Sequence, residues 1–391
     1  MKIVFRGELV ELREEAPQAP RIVLSEEASP RFLGRVFGAL AAGAEIVLQN
    51  TRLTEVERAA QLASIATTPP AGEPATILFT SGTTGAPKAA RLALDNHLAN
   101  ARAACEVLGV EASSRFLSTL PLFHVGGLAI AFRCQLASAT LLLHERFDAQ
   151  AVVRELRGGA THASLVPSTL ARVLDLCPAF PRSVRAVLVG GGPVPAPLLD
   201  RARRAGLPVL QTYGLTETAS MATCERLGDA DGASAGPPMP GLEVRIAGAE
   251  IEVRGPQVMR GYLGAEAVQG FFATGDLGEL DARGRLVVHA RRTDLIISGG
   301  ENVYPAEVEA ALLTHPAVRE AAVLPAPDAR WGQVGVAYVA TTTQAPLAES
   351  ELRAFLAGRL AKFKNPARFV AVAELPRNAA GKVDRARLRG D

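Results

Sequence analysis

The chain has 391 residues, of which 48% are hydrophobic, 21% charged and 5% aromatic, with a formal net charge of +2. Such a length exceeds one ordinary core and predicts two or three compact units, and the near-neutral charge gives no electrostatic footprint for nucleic acid. The opening "MKIVFRGELVELREE" is too charged for a secretory leader and no run reaches the roughly 18 apolar residues of a membrane span, so a cytoplasmic protein without stable membrane insertion is expected.

In chain order, "RFLGRVFGALAAGAEIVLQN" predicts an amphipathic helix ending near Gly43, then a short strand from Glu45 to Leu48. "ATILFT" is a strand that runs into "LFTSGTTGAPKAARLAL" (78–94), where Gly82, Gly85 and Lys88 miss the Walker spacing. Helices follow in "LDNHLANARAACEVLG", opened by an Asp/Asn cap, and in "DAQAVVRELRGG", "PSTLARVLDLC" and "APLLDRARRAG". The strands "RFLSTLP", "HASLVP", "VRAVLVGG" and "PVLQTYG" alternate with them, which predicts a mostly parallel sheet covered by helices.

After about residue 236 the texture changes, and "GLEVRIAGAEIEVRGPQVMRGYLG" and "GRLVVHARR" read as antiparallel strands of a small β unit. From about residue 294, helices in "PAEVEAALLTHPAV" and "AESELRAFLAGRLAKF" and strands in "EAAVLPAP" and "VGVAYVATTT" make an α+β module. Cys105, Cys134, Cys177 and Cys224 are widely spaced without a C-x-x-C pair, and are read as buried hydrophobes.

The chemistry begins at the 78–94 loop. Its Gly, Ser and Thr residues let backbone N–H groups and hydroxyls converge on an anion, and Lys88 adds a point charge, a combination suited to polyphosphate. Four later stretches join it: "QTYGLTET" (211–218), "ATGDLGEL" (273–280), "ARRTDLIISGGENVYPAEVE" (290–309) and "LPRNAAGKVDRARL" (375–388). In this order and spacing, from about residue 32 onward, the chain resembles the adenylate-forming superfamily of AMP-forming acyl-CoA synthetases, adenylation domains and luciferases.

The resemblance implies an α/β multi-domain, acyl-CoA synthetase-like fold. Residues 1–292 would form the N-terminal adenylation region, with α/β subdomains to about 235 and a β-rich subdomain over about 236–292. Residues 293–391 would form a small mobile α+β domain hinged at Thr293 or Asp294; Thr293 and Ala290 depart from the residues most members have there. The substrates would be ATP with Mg²⁺, a small carboxylic acid and coenzyme A, and a homodimer is possible in such a family.

Carried onto matching positions, the β and γ phosphates fall to Thr80, Ser81, Gly82, Thr83, Thr84, Gly85 and Lys88. The adenine slot falls to Gly191, Gly192, Pro193, Gln211, Thr212, Tyr213 and Gly214. Thr216 would donate to the α-phosphate and Glu217 would bind Mg²⁺ as a hard oxygen ligand. Asp276, assisted by Arg291, would grip the ribose hydroxyls. Lys382 would be the catalytic lysine, because attack of a carboxylate on the α-phosphate brings anion onto anion and a cation there lowers the barrier. Ser298, Gly299, Gly300 and Glu301 would line the coenzyme A channel once the C-terminal domain has turned.

His124 reads either as a packed core histidine or, by resemblance, as a catalytic residue gating the acyl pocket. Within the superfamily "PLFHVGGLAI", "THASLVPSTLARVL" and the 290–309 stretch look most like the o-succinylbenzoate:CoA ligases of menaquinone biosynthesis. That acid carries a second carboxylate, which demands another donor or cation in the pocket, and His124, His162, Ser164 and Ser168 are the candidates. A general aryl- or fatty-acyl-CoA ligase, a free-standing adenylation domain and a non-catalytic acyl or nucleotide binder are the alternatives. Members of the family have about twice as much chain before the phosphate loop, which puts pocket depth and any dimer surface in question.

Overall fold

The computed structural model describes residues 1–391 except 54, 81–87, 193, 292–293, 299–300, 329–330, 344–346, 358, 361, 379–380 and 390–391, together with the side chains of 290, 291, 297, 301 and 302. An eight-stranded sheet forms the centre. Its order is Ser220–Cys224, Val209–Leu215, Ala186–Val189, His162–Leu165, Arg115–Ser118, Thr140–Leu143, Lys2–Phe5 and Glu8–Val10. The six inner strands are parallel and the two edge strands antiparallel. Apolar residues line both faces, as crossover helices require: Leu188 and Leu210 enter one core, Val187 and Val209 the other.

A second, five-stranded sheet runs Gly261–Tyr262, Lys88–Ala93, Ala75–Thr80, Glu45–Leu48 and Arg21–Leu24. An antiparallel sheet follows, of Glu243–Ala247, Glu250–Arg254, Phe272–Leu280 and Leu286–Arg291. The last sheet comprises Glu301–Val303, Ile296–Ser298, Gly332–Thr341 and Val318–Asp328, with Arg368–Ala371 parallel to Gly332–Thr341. A separate core of Ile296, Val308, Leu312, Val339 and Leu356 belongs to it.

The alternating pattern of the sequence is realised closely, with helices at Pro30–Ala41, Leu94–Leu108, Ala149–Arg157, Pro167–Leu176 and Ala196–Arg204. One cap differs from expectation. The helix Leu94–Leu108 has Ala93 at its N-cap, and Asn96, in the first turn, accepts from the Ala93 N–H at 2.9 Å through Oδ1. Its amide group is thereby aimed at Pro256 and Val258, whose carbonyls it meets at 2.7 and 2.9 Å. The helix expected over "AESELRAFLAGRLAKF" covers only Glu349–Ala357.

The helix Val125–Leu136 has no counterpart in the sequence reading. Its residues "VGGLAIAFRCQL" are apolar on nearly every side and eight of them, from Gly127 through Cys134, are buried, so amphipathic periodicity is missing. The charged opening of the chain likewise conceals the strands Lys2–Phe5 and Glu8–Val10, which gain their order by pairing beside Thr140–Leu143.

Behind the phosphate loop, Glu45 is 1% exposed and lies between two guanidinium groups, Arg21 at 2.6 Å and Arg91 at 2.9 Å. Burial by itself raises a carboxyl pKa, yet the hydrogen bonds from Arg91 and Arg21 hold this one below its ordinary value. Arg91 belongs to the strand that leaves the loop and Glu45 to the strand beside the one that enters it. Glu45→Gln takes from Arg21 its carboxylate partner among the described residues and leaves Arg91 with Glu73 alone, and the expected cost is about 3 kcal/mol of unfolding free energy in urea titrations; a loss below about 1 kcal/mol would show that the cluster does not hold the sheet.

Candidate active site

In an open α/β sheet the ligand crevice lies beyond the carboxyl ends of the strands. Four of the nominated segments leave parallel strands there: the one with His124 after Arg115–Ser118, the one with Ser168 after His162–Leu165, Gly190–Gly192 after Ala186–Val189, and Thr216–Thr218 after Val209–Leu215. The phosphate loop is closed at its base by the cross-strand pair Thr80 and Lys88, with the Thr80 hydroxyl donating to the Lys88 carbonyl at 3.4 Å. Ser81 to Gly85 lie outside the described residues, as do Pro193, Thr293, Gly299, Gly300 and the side chains of Arg291 and Glu301.

Thr216 and Glu217 sit on a single 3₁₀ turn, Thr216–Thr218, wedged between two strands. Gly214 precedes it at a bulge, where a Cβ would fall 1.8 Å from the Ser220 carbonyl oxygen, so only glycine fits. The turn is held from outside by Asn100, whose amide donates to the carbonyls of Thr218 and Met221 at 3.2 and 2.9 Å. Met259 donates its N–H to the Glu217 carbonyl at 2.8 Å, and Tyr262 donates its hydroxyl to Glu217 Oε1 at 2.6 Å. Among the described residues the Glu217 carboxylate is in no ion pair, which leaves a hard anionic oxygen set suited to a divalent cation.

Tyr213, three residues before the turn, donates its hydroxyl to Asp276 Oδ2 at 2.8 Å. Asp276 is 5% exposed, lies on Phe272–Leu280 and pairs across the antiparallel sheet with Arg291. The structure thus joins three separate stretches of the sequence. Gln211 faces another way: its side-chain amide donates to Ser234 and its N–H to Glu225, while the Thr212 hydroxyl donates to the Thr223 carbonyl.

Lys382 reaches this same crevice from the C-terminal module. A Cβ built on Gly191 would sit 3.2 Å from Lys382 Cε, and one on Gly381 would sit 3.5 Å from Val166 Cγ2 and 4.0 Å from Ser168 Oγ. Gly191 and Gly381 both have positive φ, +84° and +78°, and each lacks the side chain that would block the approach. The loop carrying the lysine is tight: Lys382 N–H donates to Asn378 Oδ1 at 3.1 Å, and Asn378 N–H to the Lys382 carbonyl at 2.8 Å.

His124 is the N-cap residue of Val125–Leu136, and its Nε2 is buried with no hydrogen-bond partner among the described residues. Burial first, then the positive charges of Lys382 and Arg52, push its pKa down from 6.5 to about 4, so the ring is neutral at pH 7. In this pH range the unfolded chain binds a proton that the folded one refuses, so stability falls as pH drops from 6.5 towards 4. Removing one cation, as in Lys382→Ala, is expected to raise the His124 pKa above 4 but leave it below 6.5; an NMR titration of the ring would detect no change if Lys382 were distant.

His162 does not belong to the crevice. It starts its strand, at the end remote from the ligand side, and its Nε2–H donates to the Leu108 carbonyl at 3.0 Å while its ring stacks on Phe116. With 0% exposure it is a packed core histidine, and a lone histidine in a short apolar stretch could not reveal at which end of the strand it would lie. Ser164, two residues further towards the crevice, has a buried hydroxyl without a partner among the described residues, as does Ser118; continuing the register of the two strands sets them side by side.

Arg133 was not among the sequence candidates. It is 1% exposed on Val125–Leu136, its Nη2 donates to Ser220 Oγ at 3.1 Å and its Nε has no partner among the described residues. Burial lowers its pKa to about 10, so it stays charged at pH 7 although no carboxylate pairs with it among the described residues. Ser220 follows the Thr216–Thr218 turn by two residues, so this isolated buried cation abuts the segment that carries Glu217. In the C-terminal module Ser298 pairs with Glu301 and Gly332 through the sheet, and Asp294 faces Arg385 and Arg389 at 3.8 and 3.7 Å.

Comparison with known families and structures accords with this geometry. The AMP-binding enzyme family model matches residues 63–263, and that of the AMP-binding enzyme C-terminal domain matches 307–382. The 2-succinylbenzoate–CoA ligase of Bacillus pumilus (strain SAFR-032) is 38% identical over an alignment 422 positions long that covers 92% of this chain and 85% of that protein. The o-succinylbenzoate CoA synthetase of Bacillus subtilis, solved with its acyl-adenylate intermediate, superposes with a TM-score of 0.88 at 33% identity over 99% of this chain and 94% of the other. The same enzyme solved with ATP and a magnesium ion gives 0.86 at 33% identity, over 99% and 96%. The likeness therefore extends through the first 31 residues, which the motif series had not reached. The chain belongs to the AMP-binding, adenylate-forming enzyme family.

Proposed function

We propose that this chain is an ATP-dependent, AMP-forming acid–thiol ligase that converts o-succinylbenzoate to its coenzyme A thioester. The observation that supports the reading is the approach of Lys382 to Gly191, a cation near the strand ends that carry the residues proposed for the nucleotide. In the first half-reaction a carboxylate oxygen of the acid attacks the α-phosphorus of ATP and the bond to the β-phosphate oxygen breaks. Acyl adenylate forms and pyrophosphate leaves. In the second, the thiol sulfur attacks the acyl carbonyl, AMP departs, and the thiol proton is released.

Each residue has a physical task in this scheme. Tyr213 would offer its ring face to adenine while its hydroxyl fixes Asp276, which would accept from the ribose hydroxyls. Thr80 and Lys88 would hold the departing phosphates, and Thr216 would donate to the α-phosphate. Glu217 would hold Mg²⁺, whose charge offsets that of the phosphates. The Lys382 ammonium would counter the negative charge gathering on the α-phosphate oxygens.

The second carboxylate of the acid would be met by Arg133. A buried cation that lacks an internal counter-ion is costly to the free protein and gains most from an anionic ligand. The unpartnered hydroxyls of Ser118 and Ser164 and the neutral His124 ring would complete a polar wall for the keto-acid chain. Residues 293–391 would then turn about Thr293 and Asp294, withdraw Lys382, and bring the Ser298–Glu301 segment to the thiol's channel.

The test is thioester formation with ATP and coenzyme A on o-succinylbenzoate, benzoate and a medium-chain fatty acid. The expected kcat/KM for o-succinylbenzoate exceeds both others by at least about a hundredfold, since each unmet buried charge costs more than about 3 kcal/mol. A preference for either monocarboxylate would overturn the assignment of the acid.

A further inference from the structure

We infer that Tyr262 is a positioning residue, which holds Glu217 and Lys88 apart and in register so that both can engage the polyphosphate. The inference rests on the reading of Glu217 and Lys88 given under Proposed function. Tyr262 lies in "MRGYLG", a stretch that the motif series leaves without a role. Its hydroxyl donates to Glu217 Oε1 at 2.6 Å, and the Lys88 ammonium lies 5.2 Å from its ring centroid. One side chain thus touches the two charged residues, which the sequence separates by about 130 positions.

The backbone that carries the phenol is fixed to both of their supports. The strand Gly261–Tyr262 pairs with Lys88–Ala93, Tyr262 opposite Ala90, and Leu263 N–H donates to the Ala89 carbonyl at 2.9 Å. Three residues before Tyr262, Met259 N–H donates to the Glu217 carbonyl at 2.8 Å, and the Asn96 amide grips the Val258 carbonyl at 2.9 Å. Gly261 has φ +145°, and a Cβ there would lie 3.0 Å from the Glu266 carbonyl oxygen. The ring therefore has a rigid base.

Electrostatics explains why such a spacer is needed. A flexible carboxylate and a flexible ammonium within reach of one another pair directly, and a paired Glu217 and Lys88 would neutralise each other instead of serving cation and phosphate. The phenol occupies one carboxylate oxygen by donation and covers the ammonium with its ring face, so each charge keeps a partner that does not cancel it.

The experiment compares the parent with Tyr262→Phe, Tyr262→Leu and Glu217→Gln by calorimetric titration with ATP, with and without Mg²⁺, alongside both half-reactions. Tyr262→Phe loses the donor and keeps the ring: the Mg²⁺-dependent gain in ATP affinity is expected to fall about tenfold, the size of one charge-assisted hydrogen bond, with affinity in chelator unchanged. Tyr262→Leu is expected to lose affinity in chelator as well, about fivefold, because Lys88 loses its aromatic face. Thioester formation from supplied acyl adenylate stays at the parent rate in Tyr262→Phe, which shows that the variant is folded.

If Tyr262→Phe matches the parent in its Mg²⁺ dependence while Glu217→Gln does not, the positioning role is overturned and the reading of Glu217 stands. If Glu217→Gln also matches the parent, both fall. Equal losses in chelator and in Mg²⁺ for both tyrosine variants would mean a packing role only, which also overturns the inference.

Discussion

Lys382→Ala lowers the rate of adenylate formation from o-succinylbenzoate and ATP by about a thousandfold, while thioester formation from supplied acyl adenylate changes less than about threefold. The magnitude follows from Coulomb's law: a unit cation about 4 Å from developing negative charge contributes about 4 kcal/mol at an effective dielectric near 20. The asymmetry follows from position. Lys382 comes within reach of Gly191 with Gly381 packed against Val166, and the second half-reaction has no anion-on-anion approach to relieve. Pyrophosphate exchange and single-turnover thioester assays separate the two steps. Equal loss in both would refute the role, because it would mean the variant damages a shared binding function.

Arg133→Met lowers kcat/KM for o-succinylbenzoate by about 10²–10³-fold, leaves the KM for ATP within about twofold, and raises the stability of the ligand-free protein. The first effect is that of truncating one partner of a buried charge pair, about 2–5 kcal/mol. The third has the opposite sign because the same guanidinium is 1% exposed with its Nε unpartnered, and a hydrophobic chain of similar volume relieves a burial cost of about 1–4 kcal/mol. A residue kept for packing would lose stability on replacement; one kept for its ligand gains it and loses function. Benzoate supplies the control, since it lacks the second carboxylate. Were turnover of benzoate to fall as far as that of o-succinylbenzoate, Arg133 would not be reading that group.

The segments proposed to hold the nucleotide could be picked out in the sequence for a reason that lies in the backbone. They are short segments at strand ends, where glycines, hydroxyls and single charges occur at fixed offsets; Gly214 admits no Cβ, and Thr216 and Glu217 share one turn. Local spacing therefore carries that chemistry. The alternation of helix and strand was legible in the same way, except where burial on all sides erased periodicity, as in Val125–Leu136.

The residues proposed for the acid were not legible, because their role would depend on which face of an element they occupy and how deep. His162 carried the right chemistry at the wrong end of its strand, and Arg133 looked like an ordinary arginine in an apolar run. The sequence by itself determined most of the alternation of helix and strand, the Gly/Ser/Thr stretch at 78–94, the Thr216–Glu217 pair and the lysine near 382, all of which are local patterns. Only the tertiary structure decided that Lys382 reaches Gly191, that Tyr213 meets Asp276, that Tyr262 stands between Glu217 and Lys88, and that Arg133 is buried with no counter-ion among the described residues. Those are contacts between residues distant in the chain, and their energies depend on burial and distance, which no local spacing encodes.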